Sequence, residues 1–265
     1  MGSTVERGTA NRSGKFERHK GQSQVSILPQ GMEHFLGELG KRVLSPLLPA
    51  SCLLCGSDSG RAPVCPACVA DLPSLPEQRC PQCAEATTHG ERCGHCLAHG
   101  RAFDAAQVLY RYDFPLDRLV HALKYGHQLS LAAWFGARLA ASEELPPCDR
   151  VVPLPLHPKR LQQRGFNQST EIARVLCRQR RLALDIGSLR RCRETRPQAD
   201  LPLKDRPGNM RGAFACANDL SGQRILLVDD VMTSCATLHE AARVLKLHGA
   251  SEVIVAVVAR ALRHP

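Results

Sequence analysis

Two adjacent carboxylates follow an apolar run in residues 225–238, which read ILLVDDVMTSCATL. The unbroken apolar run Ile225–Val228 predicts a strand that is covered on both faces. Apolar residues from Leu238 to Leu247 recur at helical spacing and predict a helix packed on a sheet. Asp229 and Asp230 then lie at the carboxyl end of the strand, where open α/β sheets bind ligands. Since two carboxylates can accept hydrogen bonds from vicinal hydroxyls, the pair predicts a site for a ribose.

The turn between this strand and this helix offers hydrogen-bond donors to a phosphate. The start of a helix carries unpaired backbone N–H groups and the positive end of the helix dipole, and hydroxyl side chains add to them here. The predicted phosphate-binding residues are Thr233, Ser234, Cys235, Ala236 and Thr237. The alternative is an ordinary strand-to-helix turn capped by Thr237, with two solvated aspartates.

A second group of anion-binding side chains follows another predicted strand, residues 150–155. Lys159, Arg160 and Arg164 come shortly after it. Cations in a loop at the carboxyl end of a strand suit a pyrophosphate. We therefore predict that these three residues bind pyrophosphate or a similar anion, and a basic surface loop is the alternative.

Eight of the thirteen cysteines form four Cys-x-x-Cys pairs. They are Cys52, Cys55, Cys65, Cys68, Cys80, Cys83, Cys93 and Cys96. Because two such pairs complete one tetrahedral four-thiolate site, the eight cysteines predict two structural Zn²⁺ ions. The segments between them hold little apolar material, so metal binding must supply much of the folding free energy. Sequential pairing is favoured over interleaved pairing, and redox pairs, disulfides or iron–sulfur clusters are the alternatives to zinc.

The positive charge of the chain is concentrated in one region. The formal net charge is +10, and residues 150–211 hold fifteen Lys or Arg against five Asp or Glu. Such basic density favours a polyphosphate or nucleic acid ligand, although a solvated basic face is the alternative. Aromatic residues are only 4% of the chain, which is poor material for base stacking. Without a membrane-length apolar run or a secretory signal, we expect a cytoplasmic protein.

The order of the segments predicts an α/β protein with a parallel sheet flanked by helices, preceded by a small metal-folded module. The predicted divisions are a disordered tail at 1–30, a short helix or linker at 31–50, a four-plus-four cysteine module at 51–100 and the α/β domain at 103–262. Strands are predicted at 104–112, 150–155, 184–189, 225–228 and 251–260, and helices at 32–48, 115–125, 129–141, 168–181 and 238–247. The polar, basic segment 193–214 has no clear period and is predicted to be a functional loop, such as a lid over the anion site, and a disordered basic loop is the alternative.

Several of these motifs together resemble one known family. Residues 225–238 resemble the PRPP-binding motif of type I phosphoribosyltransferases, in which two acidic residues hold the ribose hydroxyls and the next loop holds the 5-phosphate. The four cysteine pairs, HALKYG at 121–126, VPLPLHPKRLQQRGFNQ at 152–168 and RPQADLPLKDRPGNMRGAF at 196–214 extend the resemblance to the ComF family. One departure is Cys235, where the family usually has Gly.

The resemblance implies a double zinc ribbon with four cysteines per zinc, followed by a type I phosphoribosyltransferase-like domain. It also implies a PRPP or similar phosphorylated ribose ligand with Mg²⁺, and a link to the uptake of transforming single-stranded DNA. Two functions stay open. One is binding of single-stranded DNA, together with competence or DNA-processing proteins. The other is transfer of the phosphoribosyl group to an acceptor that the sequence does not identify, and no catalytic residue is assigned.

Overall fold

Residues 51–195 and 206–262 are the part of the chain that the computed structural model describes. All of them belong to one compact unit, residues 49–265. The predicted N-terminal tail and the predicted helix at 32–48 lie outside the described residues. The same holds for the middle of the predicted loop at 193–214.

A four-stranded parallel sheet forms the centre of the described chain, with the strand order β1-β6-β5-β2. Its strands are β1 (Ala105–Arg111), β2 (Arg150–Pro153), β5 (Arg224–Met232) and β6 (Glu252–Arg260). The first half of β5 (Ile225–Val228) and the interior of β6 are apolar without alternation, and both central strands are almost wholly buried. This agrees with the prediction, because a parallel strand covered on both faces has no solvent side.

The first two helices of the described residues belong to the cysteine module, and the others follow it in the α/β domain. They are α1 (Pro66–Ala70), α2 (Gly94–His99), α3 (Leu116–Tyr125), α4 (Leu129–Ala141), α5 (Pro158–Arg164), α6 (Gln168–Arg180), α7 (Arg206–Met210) and α8 (Ala236–Leu247). None of the helices in these ranges combines the length and the apolar character that a membrane crossing requires.

Alternate residues of the central strands point to two separate cores. Leu226 and Val228 of β5 belong to a core with α3, α4 and α6. Ile225 and Leu227 belong to a second core, which includes α8. Because successive side chains of a strand point to opposite faces, one apolar run fills both cores.

Two predicted elements differ from the structure. Leu184 makes only an isolated bridge to Val151, and the strand in this region is β3 (Leu189–Arg191), which pairs antiparallel with β4 (Phe214–Cys216) in a separate hairpin. The predicted basic loop contains the helix α5. Pro158 at its first position suits a helix start, and Gly165 ends it in the left-handed conformation with φ 78°.

Candidate functional site

The eight cysteines lie in two groups that follow the favoured sequential pairing. Cys52, Cys55, Cys65 and Cys68 form the first group, and Cys80, Cys83, Cys93 and Cys96 form the second. Within each group, all ligand atoms lie within 4.8 Å of one another. The interleaved pairing is therefore wrong.

The sulfur atoms have the spacing that a tetrahedral zinc site needs. The Sγ atoms of Cys55 and Cys65 are 3.7 Å apart, and those of Cys83 and Cys93 are 3.6 Å apart. Four sulfurs at about 2.3 Å from one Zn²⁺ have edges of about 3.8 Å. The backbone N–H of Cys65 also donates to Cys52 Sγ at 3.4 Å, which stabilises a thiolate. The residues present fit two structural zinc ions, each held by four cysteines. Such ions stabilise the fold, because all four coordination positions are taken by the protein.

A pocket of about 510 Å³ opens at the carboxyl ends of the sheet strands. This is where parallel α/β sheets bind ligands, and the volume suits a small molecule. The pocket is lined by the end of β5 with the start of α8, by the segment from β2 to Gln168 and by α3, and also by Tyr112 after β1 and by Arg191. The candidate site is therefore assembled from segments that are far apart in the sequence.

The two predicted ribose-binding carboxylates lie side by side on this pocket and are both buried. Asp229 Oδ1 accepts a hydrogen bond from Ser169 Oγ of α6 at 2.8 Å. Asp230 Oδ2 lies 2.8 Å from Lys124 Nζ of α3. Strand β5 runs through both residues and ends only at Met232, so they are held by the ladder of the sheet.

Burial and mutual repulsion make it costly to ionise both carboxylates. Burial raises the pKa of Asp229 to about 7, and the neighbouring Asp230 carboxylate adds to the rise, while Lys124 and Ser169 oppose it. Burial alone would lower the pKa of Lys124, but Asp230 and then Asp229 outweigh it and raise that pKa. A neighbouring hydroxyl or cation from a ligand would relieve the cost of ionising Asp229.

The predicted phosphate-binding turn lies between β5 and α8. Thr233, Cys235, Ala236 and Thr237 line the pocket, whereas Ser234 is not among the lining residues. Cys235 precedes the first residue of α8 and has φ 65°, the left-handed region that favours glycine. The backbone thus keeps the conformation that a glycine would give, although a cysteine stands there. Its side chain is buried at 3% exposure.

The predicted pyrophosphate residues separate into two kinds. Arg160 and Arg164 line the pocket, and Arg164 Nη1 donates to Gln168 Oε1 at 2.7 Å. Lys159 is not among the lining residues, and its Nζ pairs instead with Glu194 Oε2 at 2.6 Å on the surface. The helical form of α5 is the reason, because adjacent residues of a helix point in different directions.

Arg191 is a site residue that the sequence reasoning missed. It lies at the end of β3, lines the pocket and is 9% exposed. Burial lowers its pKa to about 10, and the nearby positive charge of Arg160 contributes. Its Nε has no hydrogen-bond partner among the described residues. The only signal in the sequence was the pair Arg190–Arg191, and strand alternation does not tell which of the two faces inwards.

An aromatic side chain stands at the mouth of the pocket. Tyr125, the last residue of α3, lines the pocket and is 63% exposed. The ring of His121 lies 4.8 Å from the Tyr125 ring, and the Arg164 guanidinium lies 5.4 Å from its centroid. This arrangement offers a flat surface beside positive charge.

Comparison with known proteins agrees with this architecture. The double zinc ribbon domain family matches residues 43–97, and the phosphoribosyl transferase domain family matches residues 164–264. The chain is 33% identical to the DNA utilization protein YhgH of Salmonella typhi over 81% of its own length and 99% of that protein. The chain belongs to the ComF family.

Other members of the ComF family carry competence names. The chain is 30% identical to competence protein F of Haemophilus influenzae, over 75% of this chain and 90% of that protein. It is 25% identical to competence protein ComFC of Streptococcus pneumoniae, over 81% and 94% of the two chains. The predicted family is therefore confirmed, together with its double zinc ribbon and phosphoribosyltransferase-like domain.

Proposed function

We propose that the pocket binds PRPP, or a similar 5-phosphorylated ribose, in a protein that acts on DNA. The observation that carries the proposal is the pair of buried carboxylates, Asp229 and Asp230, facing a pocket that also holds three arginines. The carboxylates can accept hydrogen bonds from ribose hydroxyls, and the arginines can attract phosphate. A ribose with two separate phosphate groups presents both hydroxyls and anionic oxygens, so it can use both sets of side chains.

On this proposal each group of PRPP has its own set of residues. The turn at 233–237 takes the 5-phosphate, and Asp229 and Asp230 take the ribose hydroxyls. Arg160, Arg164 and Arg191 take the pyrophosphate. Bound Mg²⁺, held by the pyrophosphate and carboxylate oxygens, would neutralise part of the phosphate charge.

Isothermal titration of the zinc-loaded chain with PRPP and Mg²⁺ tests this site. We expect binding to the wild type and a loss of about a hundredfold or more in the double variant Asp229→Asn and Asp230→Asn, because neutral amide oxygens accept weaker hydrogen bonds from the ribose hydroxyls than charged carboxylates do. Asp185→Asn is the matched control, since Asp185 pairs with Arg150 at the opposite end of the sheet. Absence of PRPP binding to the wild type would refute the proposal.

The alternative function is an active phosphoribosyltransferase. Arg191 favours it, because a buried guanidinium with an unpartnered Nε can stabilise charge that grows on a departing pyrophosphate. Two arginines beside it add to this effect. Pyrophosphate release from PRPP, measured with and without single-stranded DNA, tests turnover. Tight PRPP binding without any release in either condition would leave the binding function alone.

Single-stranded DNA is the proposed partner at the mouth of the pocket. The exposed Tyr125 ring beside Arg164 can stack a base and attract its phosphate, and stacking contributes about 1–3 kcal/mol per base. The names of the relatives, which refer to DNA utilization and competence, agree with this partner. On this proposal the protein acts in the cytoplasm and works with other competence or DNA-processing proteins.

Fluorescence anisotropy with a labelled single-stranded oligonucleotide tests the DNA proposal. We expect Tyr125→Ala to weaken binding about tenfold, Tyr125→Phe to leave it unchanged, and added salt to weaken the wild type steeply. Ile186→Ala is the matched control, because Ile186 is similarly exposed at 59% but does not line the pocket. Equal losses of DNA affinity in Tyr125→Ala and Ile186→Ala would rule out Tyr125 as a surface for base stacking.

A further inference from the structure

The guanidinium of Arg260 joins the second zinc ribbon to the turn that follows β5. Arg260 ends β6, and its side chain is 2% exposed. Its Nε donates to the carbonyl oxygen of Cys83 at 2.9 Å, and its Nη2 contacts Glu85 Oε2 at 2.7 Å. Its Nη1 donates to the carbonyl oxygens of Met232, at 3.1 Å, and of Thr233. The buried Arg260 side chain thus binds both a segment that holds zinc ligands and the phosphate-binding turn.

These hydrogen bonds orient the peptide groups of the turn. In a trans peptide the carbonyl and the following N–H point in opposite directions. Since the carbonyl oxygens of Met232 and Thr233 point to Arg260, the N–H groups of the next residues point away from it. Because Arg260 already holds these peptide groups in one orientation, they do not have to reorganise when an anion binds.

Cys235 makes a second contact between the same two parts of the chain. Its buried side chain belongs to the same core as Cys80, Cys83 and Cys96 of the second ribbon. A residue other than glycine in the left-handed region is strained by about 1–3 kcal/mol. The buried position against the second ribbon offsets that strain, which explains how a cysteine keeps the backbone that a glycine would give.

The first ribbon makes no comparable contact among the described residues. Its ligands Cys52 and Cys65 belong to the other core, with α3 and α4 on the opposite face of the sheet. The two zinc sites are chemically alike, but within residues 51–195 and 206–262 only the second is joined by hydrogen bonds of Arg260 to the turn that follows β5. This difference supplies an internal control.

We propose that the second zinc ribbon is a structural part of the phosphate-binding turn, and that Arg260 is the positioning residue through which it holds that turn. Zinc at Cys80, Cys83, Cys93 and Cys96 keeps the Cys83 carbonyl and Glu85 in place, and these hold Arg260. Arg260 then holds residues 232 and 233. The first zinc site stabilises the other face of the sheet and leaves the turn unaffected.

Hydrogen exchange of the zinc-loaded full chain tests this coupling without any ligand. We expect Arg260→Lys and Glu85→Gln to accelerate exchange of the amides at 233–238 while zinc content stays at two per chain. Arg150→Lys and Asp185→Asn are the matched controls, because they alter an Arg–carboxylate pair of 2.8 Å at the far end of the sheet. Unchanged exchange at 233–238 in both Arg260→Lys and Glu85→Gln would overturn the proposal, and so would equal acceleration throughout the chain.

A metal experiment separates the two zinc sites. Cys93→Ser and Cys55→Ser each remove one ligand, from the second and the first site respectively. We expect only Cys93→Ser to accelerate exchange at 233–238. If both variants accelerate it equally, the ribbons act alike and the assignment to the second site is wrong. If Cys93→Ser fails to fold, the Arg260→Lys and Glu85→Gln results decide alone.

A ligand experiment, which rests on the proposed ribose-phosphate site, compares the affinities for two ligands. A general loss of stability would not weaken one ligand and spare the other. We expect Arg260→Lys to weaken ribose 5-phosphate about tenfold in calorimetry, whereas inorganic pyrophosphate with Mg²⁺ keeps its affinity. Equal loss of both ligands would contradict a role in the phosphate turn. If the wild type binds neither ligand, the proposed function fails, and hydrogen exchange still decides the coupling.

Discussion

Lys124 and Asp230 form a buried ion pair across the candidate site, with Nζ 2.8 Å from Oδ2. The side chain of Lys124 is 22% exposed and that of Asp230 is 5% exposed. The pair joins α3 to β5, so a helix 106 positions earlier in the chain supplies the cation that two adjacent carboxylates require. HALKYG thus contributes directly to the site, whereas the sequence had shown it only as part of a family resemblance.

Removing this cation should destabilise the protein. Lys124→Met leaves Asp230 without its counter-ion beside a second buried carboxylate, and breaking such a pair costs about 3–5 kcal/mol. We expect a loss of about 3 kcal/mol in urea unfolding at neutral pH.

The double variant Lys124→Met and Asp230→Asn separates charge from packing. Because the amide removes the unpaired charge, we expect it to recover most of the lost stability. If the double variant is as unstable as Lys124→Met, packing of the lysine stem is the cause. Lys159→Met should leave stability unchanged, since its partner Glu194 is exposed.

Asp229 should make the unliganded protein less stable as the pH rises. Its pKa is raised to about 7 in the folded protein, so between about pH 4 and pH 7 the folded state keeps a proton that the unfolded chain has released. The stability that this group contributes is complete below its unfolded pKa and is lost as the pH passes through 7.

The variant Asp229→Asn measures this contribution. We expect it to be more stable than the wild type by on the order of 2–4 kcal/mol at pH 8, because a pKa shift of one unit corresponds to about 1.36 kcal/mol. The difference should shrink as the pH falls towards 4. Urea unfolding at several pH values measures it, and a difference that is independent of pH would show that Asp229 does not titrate near 7.

Arg191 should matter more for anion binding than the more visible Lys159. A charge-assisted hydrogen bond contributes about 1.5–3 kcal/mol, so we expect Arg191→Gln to weaken pyrophosphate binding by about tenfold to a hundredfold. Lys159→Gln should leave it unchanged, because Lys159 pairs with Glu194 and is not a lining residue. Calorimetry with pyrophosphate and Mg²⁺ compares them, and the reverse order would move the anion site to the surface of α5.

Zinc content and stability should follow the two cysteine groups. Elemental analysis should give two zinc ions per chain, since each group of four thiols can hold one. Removal by a strong chelator should unfold residues 51–100, because small ribbons depend on metal for their folding free energy. Circular dichroism and proteolysis follow this change, and a ribbon that resists proteolysis after complete zinc loss would contradict it.

The predictions that agreed with the structure rest on local patterns. The apolar run before Asp229 predicted a buried strand, and the spacing from residue 129 to 141 predicted α4 at its observed bounds. The cysteine spacing predicted two metal sites and favoured the observed pairing. These features depend on neighbours in sequence, so the sequence displays them.

Features that depend on tertiary contacts escaped prediction. Lys159 and Arg160 are adjacent cations that the sequence does not distinguish. The helical form of α5 directs Lys159 to the surface and Arg160 to the pocket. Arg191 becomes a site residue because the β3–β4 hairpin places it beside Arg160. The pKa of Asp229 depends on its burial and on Asp230, and also on Lys124 and Ser169, which lie far earlier in the chain.

The sequence by itself determined the ligand chemistry of this protein: eight thiols for two metals, paired carboxylates, a hydroxyl-rich turn and an excess of arginine. Tertiary structure decided which cations face the pocket and which zinc ribbon is joined to the turn after β5. The reason is physical. Side-chain type and local spacing are properties of the chain, whereas direction, burial and long-range partners exist only once distant segments such as Cys83, Asp230 and Arg260 are packed together.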